Sequence, residues 1–158
     1  MATLPVGPHR VEEMLRFCLE TAKQMLEANG GFAPFGAIID GNGTRRPVVG
    51  DPGKPDPTPE EIYRLIQESM GAQFFKGEIV AGAIVADATI PPEFKPDYPD
   101  GVRITVESSS ISRLIFLPYK KAETPTGAEA AKTPAHPHVY GELLGVNVRP
   151  TIFVAPPA

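Results

Sequence analysis

Four side chains on two neighbouring apolar segments form the most concrete candidate for ligand binding in the sequence. They are Arg103, Glu107, Arg113 and Tyr119. Residues 102–107 alternate polar and apolar side chains and meet residues 111–117 across a run of serines, which predicts a β-hairpin. On a strand pair we expect the four side chains to project toward a cleft beneath residues 120–137 and to bind a small polar molecule. A solvated sheet face explains the same residues without a ligand.

The two histidines of His136-Pro137-His138 resemble a metal clip, because residues two apart in an extended chain project to the same side. Nothing in the sequence points to the third ligand that a metal site needs, although His9 or a carboxylate remains an option. In a proline-rich loop the pattern favours two solvated histidines. The sequence assigns no catalytic residue, and it predicts no metal and no cofactor.

Cys18 lies on the apolar side of a predicted helix, without a visible partner to lower its pKa. We therefore interpret it as a core residue. As the sole cysteine it cannot form an internal disulfide, which fits a reducing compartment. Gly36, Gly41 and Gly43 do not have the spacing of a phosphate-binding loop, so we interpret them as turn glycines.

Residues 29–62 contain the segments N-G-G-F-A-P-F-G-A-I-I-D-G-N-G and D-P-T-P-E-E-I. These segments resemble the first helix end, first hairpin and second-helix entry of zinc-dependent nucleobase deaminases. That family has a His or Cys and a Glu where this chain has Pro59-Glu60-Glu61, and a P-C-x-x-C further along. Because this sequence has neither feature, it predicts no bound zinc and no deaminase activity.

A first helix is predicted at residues 10–29, where apolar side chains recur at helical spacing between Val11 and Leu26. Phe17 and Leu19 lie outside this stripe, so something other than the sheet should cover them. We expect that cover to be another copy of the chain, which makes the protein a homodimer. The alternative is the proline-rich C-terminal tail, with Ile152 and Phe153, folding back over the same helix.

The remaining pattern predicts a single α+β domain over residues 1–158. A mainly antiparallel sheet of about five strands is covered by two helices, in the order α-β-β-α-β-β-β. The first hairpin turns at Gly41–Gly43, a second helix spans residues 58–74 with Thr58 as its cap, and Glu78–Ala88 is the central strand. Residues 120–137 are expected to be flexible. Residues 139–148 and 151–154 form two short strands or one irregular one.

This element order, over about residues 9–119, resembles the arrangement shared by profilin-like, roadblock and longin modules. F-A-P-F-G-A and Leu117-Pro118-Tyr119 also resemble segments of an uncharacterised family of bacterial proteins of this size. Neither resemblance implies an activity or carries functional residues across.

Composition restricts the classes of partner. The chain has 158 residues, is 42% hydrophobic and carries a net charge of −4 with scattered basic residues, which argues against nucleic acid and anionic membranes. No apolar run is long enough to span a bilayer, so we expect a soluble cytoplasmic protein.

The first hypothesis for function is a non-enzymatic module that binds a protein partner, including itself. The alternatives are an enzyme using carboxylates such as Glu107 and Asp87, and a sensor that binds a ligand without a metal.

Overall fold

Two α-helices and a seven-stranded antiparallel sheet form the α+β fold in a computed structural model that describes residues 8–123, 127 and 134–153. The elements in chain order are α1 (Pro8–Asn29), β1 (Phe35–Asp40), β2 (Arg45–Val49), α2 (Pro59–Phe75), β3 (Ile79–Thr89), a 3-10 helix (Pro92–Phe94), β4 (Asp100–Ser108), β5 (Ser112–Lys121), β6 (His138–Tyr140) and β7 (Leu144–Asn147). The predicted class, both helices and both hairpins are therefore confirmed.

The strands lie in the order β2-β1-β3-β4-β5-β6, and β7 also pairs with β5. The predicted number of about five strands is too small, because the ten residues of β5 accommodate two short strands end to end along one edge. Strand β6 pairs with Tyr119–Lys121 and β7 pairs with Arg113–Phe116. Two short strands do occur, but both lie within residues 138–147, so the predicted placement of one strand at 139–148 and another at 151–154 is wrong. Residues 151–153 form a bend because their backbone N–H groups bind the Glu107 carboxylate instead of a strand.

Strand β3 has an apolar cluster on each face, as its nearly continuous apolar sequence predicts. Val85 packs in the cluster beneath α1, and the neighbouring Ile84 packs in the cluster beneath α2, so the helices cover opposite faces. Both side chains are fully buried. The central position predicted for Glu78–Ala88 is confirmed. Among the described residues, no helix has the length and apolarity needed to cross a membrane.

The start of α2 and the end of α1 are both capped by hydrogen bonds. The Thr58 hydroxyl accepts a hydrogen bond from the Glu61 N–H at 3.2 Å, with Pro59 in the first helical position, as predicted. Helix α1 ends at Gly30, whose φ of 81° allows its N–H to donate to the Leu26 carbonyl at 2.7 Å. Further along the chain, the His136 N–H donates to the Glu27 carbonyl at 2.9 Å. The segment before β6 is thereby fixed to the end of α1.

Half of the predicted flexible excursion at residues 120–137 lies outside the described residues. Its first two residues, Lys120 and Lys121, belong to β5, and residues 134–137 lead into β6. Residues 124–126 and 128–133 are among those the structure does not describe.

Candidate functional site

The structure divides the four predicted ligand-binding residues between the two faces of the sheet. Arg103 and Glu107 lie on the α2 face, since Arg103 contacts Tyr63 of that helix and Glu107 binds the tail beneath it. Arg113 pairs with Val106, an α1-face core residue, and is exposed near β7. Tyr119 is buried in the α1-face cluster. The alternation of side chains along a strand causes this division, so the four do not converge on one cleft.

A cleft of about 830 Å³ opens where β3 and β5 end and β4 begins. Its walls come from the segment after α1, the start of α2 and those three strands. We call it the ligand cleft. The residues that line it are Gly30, Phe32, Pro34, Pro59, Asp87, Ala88, Thr89, Asp100, Tyr119, Lys120 and Lys121.

The ligand cleft follows an open stretch of sheet edge. Strand β1 pairs with β3 only as far as Phe35 opposite Val85, whereas β4 pairs with β3 to its end, Thr89 opposite Asp100. Residues 86–89 therefore have no strand partner on the β1 side within the described part of the chain. Because Pro34 and Pro59 form the wall there, the backbone groups of this edge face a cavity instead of a strand.

Tyr119 and Asp87 form the polar centre of the ligand cleft. The Tyr119 hydroxyl donates a hydrogen bond to Oδ1 of Asp87 at 2.5 Å, although the residues are 32 positions apart. Tyr119 is buried, while Asp87 is exposed to the cleft. Burial, followed by the hydrogen bond to Asp87 and the charges of Asp87 and Asp100, raises the pKa of Tyr119 well above its usual value. The phenol therefore stays protonated and keeps the Asp87 carboxylate in a fixed position.

Charges of both signs surround this pair. Asp100 lies directly opposite Tyr119 in the β4–β5 pairing and lines the cleft together with Asp87. Lys120 stacks over the ring of Tyr98, with Nζ 5.1 Å from the ring centroid. Lys121 follows at the exposed end of β5. The cleft thus offers acceptors for a cationic or donor group and, at its rim, cations for an anionic group.

The histidine pair does not consist of two solvated side chains, so that interpretation is wrong for one member. His136 is exposed, but His138 is buried because it begins β6 on the α1 face. Its Nδ1 lies 2.7 Å from the His136 carbonyl oxygen and so carries the proton. The ring packs edge-on against Tyr119, with centroids 5.3 Å apart, and Nε2 has no partner in the described part of the structure. His138 thus packs against the Tyr119 ring and helps to hold that ring in position.

A smaller cavity of about 260 Å³ continues the ligand cleft onto the α2 face. We call it the side cavity. Pro34, Pro59 and Asp87 line both spaces. Arg103 and Arg64 line the side cavity but not the ligand cleft, and Arg64 also lines a third cavity beside α2. The guanidinium carbon of Arg103 lies 5.3 Å from the centroid of the Tyr63 ring. Arg103 and Tyr119, which the sequence placed in one group, therefore lie in two adjacent cavities that share three lining residues.

Glu107 lines neither the ligand cleft nor the side cavity and has a structural role. It is fully buried, and its two oxygens accept hydrogen bonds from the backbone N–H groups of Thr151, Ile152 and Phe153 and from the Thr151 hydroxyl, at 2.9 to 3.1 Å. The Phe153 ring stacks on Phe74 of α2, with centroids 4.1 Å apart. Glu107 thus fixes the tail beneath α2.

Phe17 and Leu19, the predicted interface residues, are half-buried and pack against the α1-face cluster. The guanidinium carbon of Arg45, from β2, lies 4.4 Å from the Phe17 ring centroid and covers part of that ring. Ile152 and Phe153 pack under α2 on the opposite face, so in the described residues the tail does not cover Phe17 or Leu19.

The described residues contain no group of three His, Cys, Asp or Glu side chains arranged to hold a metal ion. No protein-family model matches the chain, and no curated protein and no solved structure is significantly similar to it. The site therefore has to be interpreted from its own geometry.

Sequence reasoning named Asp87 and Tyr119 separately but missed Asp100, Lys121 and the role of His138. Their position in the sequence could have indicated them, because each of these residues lies at or near the end of a predicted strand. The ends of neighbouring antiparallel strands meet at one edge of a sheet. Which ends meet depends on the strand order, which the sequence leaves open.

Proposed function

We propose that this protein binds a small polar molecule in the ligand cleft, without a metal. The observation that carries the proposal is the hydrogen bond between the buried Tyr119 hydroxyl and the exposed Asp87 carboxylate inside a concave space. Small-molecule sites typically combine a preformed cavity with a few fixed polar groups that orient the ligand.

Asp87 is the group that meets the ligand in this proposal. Tyr119 occupies Oδ1, and Oδ2 lies toward Gly31, where the absence of a side chain leaves space. Oδ2 can therefore accept a hydrogen bond from an amine or hydroxyl group. Asp100 adds a second negative charge, which favours a cationic donor such as an ammonium group.

The lining of the ligand cleft is suited to binding a polar ligand. It supplies carboxylates, lysines and a phenol, which bind by hydrogen bonds and charge. The open edge of β3 offers backbone groups that hold a ligand without reacting with it. A ligand-binding protein of the sensor type is consistent with all of these features.

A screen of small amines, amino alcohols and amino acids by ligand-observed NMR, followed by calorimetry, tests this function. We expect Asp87→Asn to weaken binding about tenfold or more, because a hydrogen bond to a charged group contributes about 1.5–3 kcal/mol. Tyr119→Phe should weaken it less, since it removes the group that positions Asp87. Glu12→Gln, on the exposed side of α1, is the matched control and should leave affinity unchanged. Binding that is insensitive to both cleft variants, or no binding by any compound, would contradict the proposal.

Self-association is a second proposal, and the path of the tail supports it. The tail was the alternative cover for the outer side of α1, and Glu107 holds it beneath α2 instead. Phe17 and Leu19 therefore remain partly exposed, although Arg45 covers part of the Phe17 ring. The exposed large apolar side chains of the described residues are Val49, Phe75, Val139 and Leu143, and Val49 and Val139 lie at opposite edges of the sheet.

A further inference from the structure

Two arginines without an acidic partner line the side cavity. Arg103 and Arg64 both line it, and neither forms an ion pair with a carboxylate of residues 8–123 or 134–153. Glu60 lies on the same lining, yet it is not within ion-pair distance of either arginine. Two arginines in a concave space offer the planar, multiple donors that suit a carboxylate or a phosphate group.

The pairing of β3 with β4 fixes the position of Arg103 relative to the ligand cleft. In the β3–β4 pairing Arg103 lies opposite Ala86, the residue before Asp87, and Asp87 lines both spaces. Successive residues of a strand face opposite sides of the sheet, so Asp87 is on the α1 face, whereas Ala86 and its neighbour Arg103 are on the α2 face. A molecule that passes around the open edge of β3 therefore meets Asp87 on one face and Arg103 on the other. Stacking on the Tyr63 ring holds the Arg103 guanidinium in place on the α2 face.

We infer that the ligand carries an anionic group, a carboxylate or a phosphate, bound by Arg103 and Arg64 while its donor group contacts Asp87. This inference rests on the function proposed above, and it narrows the ligand class to amphoteric molecules such as amino acids and aminoalkyl phosphates. The two ends of the ligand are recognised by different residues and can therefore be tested separately.

Calorimetry with matched probes tests the inference. The probes are ω-aminoalkanoates and ω-aminoalkyl phosphates of increasing length, each compared with the ω-aminoalkanamide or amino alcohol that lacks the charge. We expect the anionic probe to bind about tenfold more tightly than its neutral match, because the neutral group loses the charge-assisted hydrogen bonds. Whichever of the carboxylate and phosphate probes binds more tightly identifies the anionic group that the side cavity prefers.

Variants of the side cavity then assign the anionic end. Arg103→Gln and Arg64→Gln should each weaken the anionic probe about tenfold and leave the neutral probe unchanged. Arg64 is exposed, so its variant keeps the test valid if Arg103→Gln fails to fold. Glu60→Gln should strengthen anion binding, since it removes the nearby negative charge.

Separate outcomes identify which of the two statements fails. Equal binding of anionic and neutral probes, with affinity that still depends on Asp87, would overturn this inference and leave the proposed function standing. Anion binding that is unchanged in both arginine variants would also overturn it. The absence of any Asp87-dependent binding would remove the proposed function and this inference together.

Discussion

At the scale of single residues, burial decides which reactive groups are available. Cys18 is fully buried in the α1-face cluster. Burial raises the pKa of its thiol from 9.0 to about 12, and the charge of Arg45 opposes this only in part. Since the thiolate is the reactive form, Cys18 is inert in the folded protein, as its position on the helix predicted.

Labelling with a disulfide reagent at pH 8 checks this statement. We expect the native protein to react more than about a hundredfold more slowly than the urea-unfolded chain, because reaction requires opening of the core. A Thr21→Cys variant, on a partly exposed turn of the same helix, supplies the positive control and should be labelled rapidly. Fast labelling of native wild-type protein would show that α1 does not cover Cys18 in solution.

Glu107 is the second residue whose burial defines its role. A Glu107→Gln change replaces one oxygen by an amide that donates toward groups that are themselves donors. We expect a loss of about 3 kcal/mol in the free energy of unfolding, given the cost of buried donors left unpaired. Urea denaturation measures it.

The control for Glu107 is Glu68→Gln, which makes the same change on the exposed side of α2. It should leave stability within about 0.5 kcal/mol. A Glu107→Gln protein as stable as this control would show that the tail is held by Ile152 and Phe153 alone.

At the scale of elements, the contact between α2 and the sheet depends on glycines. A Cβ at Gly36 of β1 would lie 2.6 Å from the Ala83 carbonyl oxygen and 2.7 Å from the terminal methyl of Met70. A Cβ at Gly82 of β3 would lie 3.1 Å from the Met70 sulfur. The two glycines therefore form the floor on which Met70 of α2 packs.

Gly36→Ala should destabilise the protein by about 1–3 kcal/mol, the usual cost of overpacking, because the carbonyl that it meets belongs to a neighbouring strand. Thermal unfolding followed by circular dichroism measures the change. Gly41→Ala is the matched control, since a Cβ there would come no closer than 3.9 Å to the Gly77 carbonyl oxygen. A Gly36 variant with the melting temperature of this control would show that α2 packs further from the sheet.

At the scale of the whole molecule, the proposed dimer depends on the outer side of α1. We expect sedimentation equilibrium at tens of micromolar to give twice the chain mass of 16.9 kDa, and a Phe17→Ser, Leu19→Ser variant to give a folded monomer. Both residues are half-buried, so circular dichroism must show that this variant retains its helices. A wild-type mass of one chain would reject the dimer.

The sequence alone determined the two helices and strands β1 to β5, because their signals are local. Helical spacing between Val11 and Leu26, the cap at Thr58 and the apolar run of β3 each depend on residues close in the chain. The α+β class followed from their order. The burial of Cys18 followed in the same way, since the face of a helix is set by periodicity.

Only the tertiary structure decided which distant residues meet. The pairing of β5 with both β6 and β7 and the contact of Glu107 with the tail join segments whose separation no local pattern encodes. The ligand cleft is of the same kind: Asp87 and Tyr119 are 32 residues apart and meet because β4 lies between their strands. Strand order is set by the packing of the complete sheet between its helices, so the site exists only once the whole chain has folded.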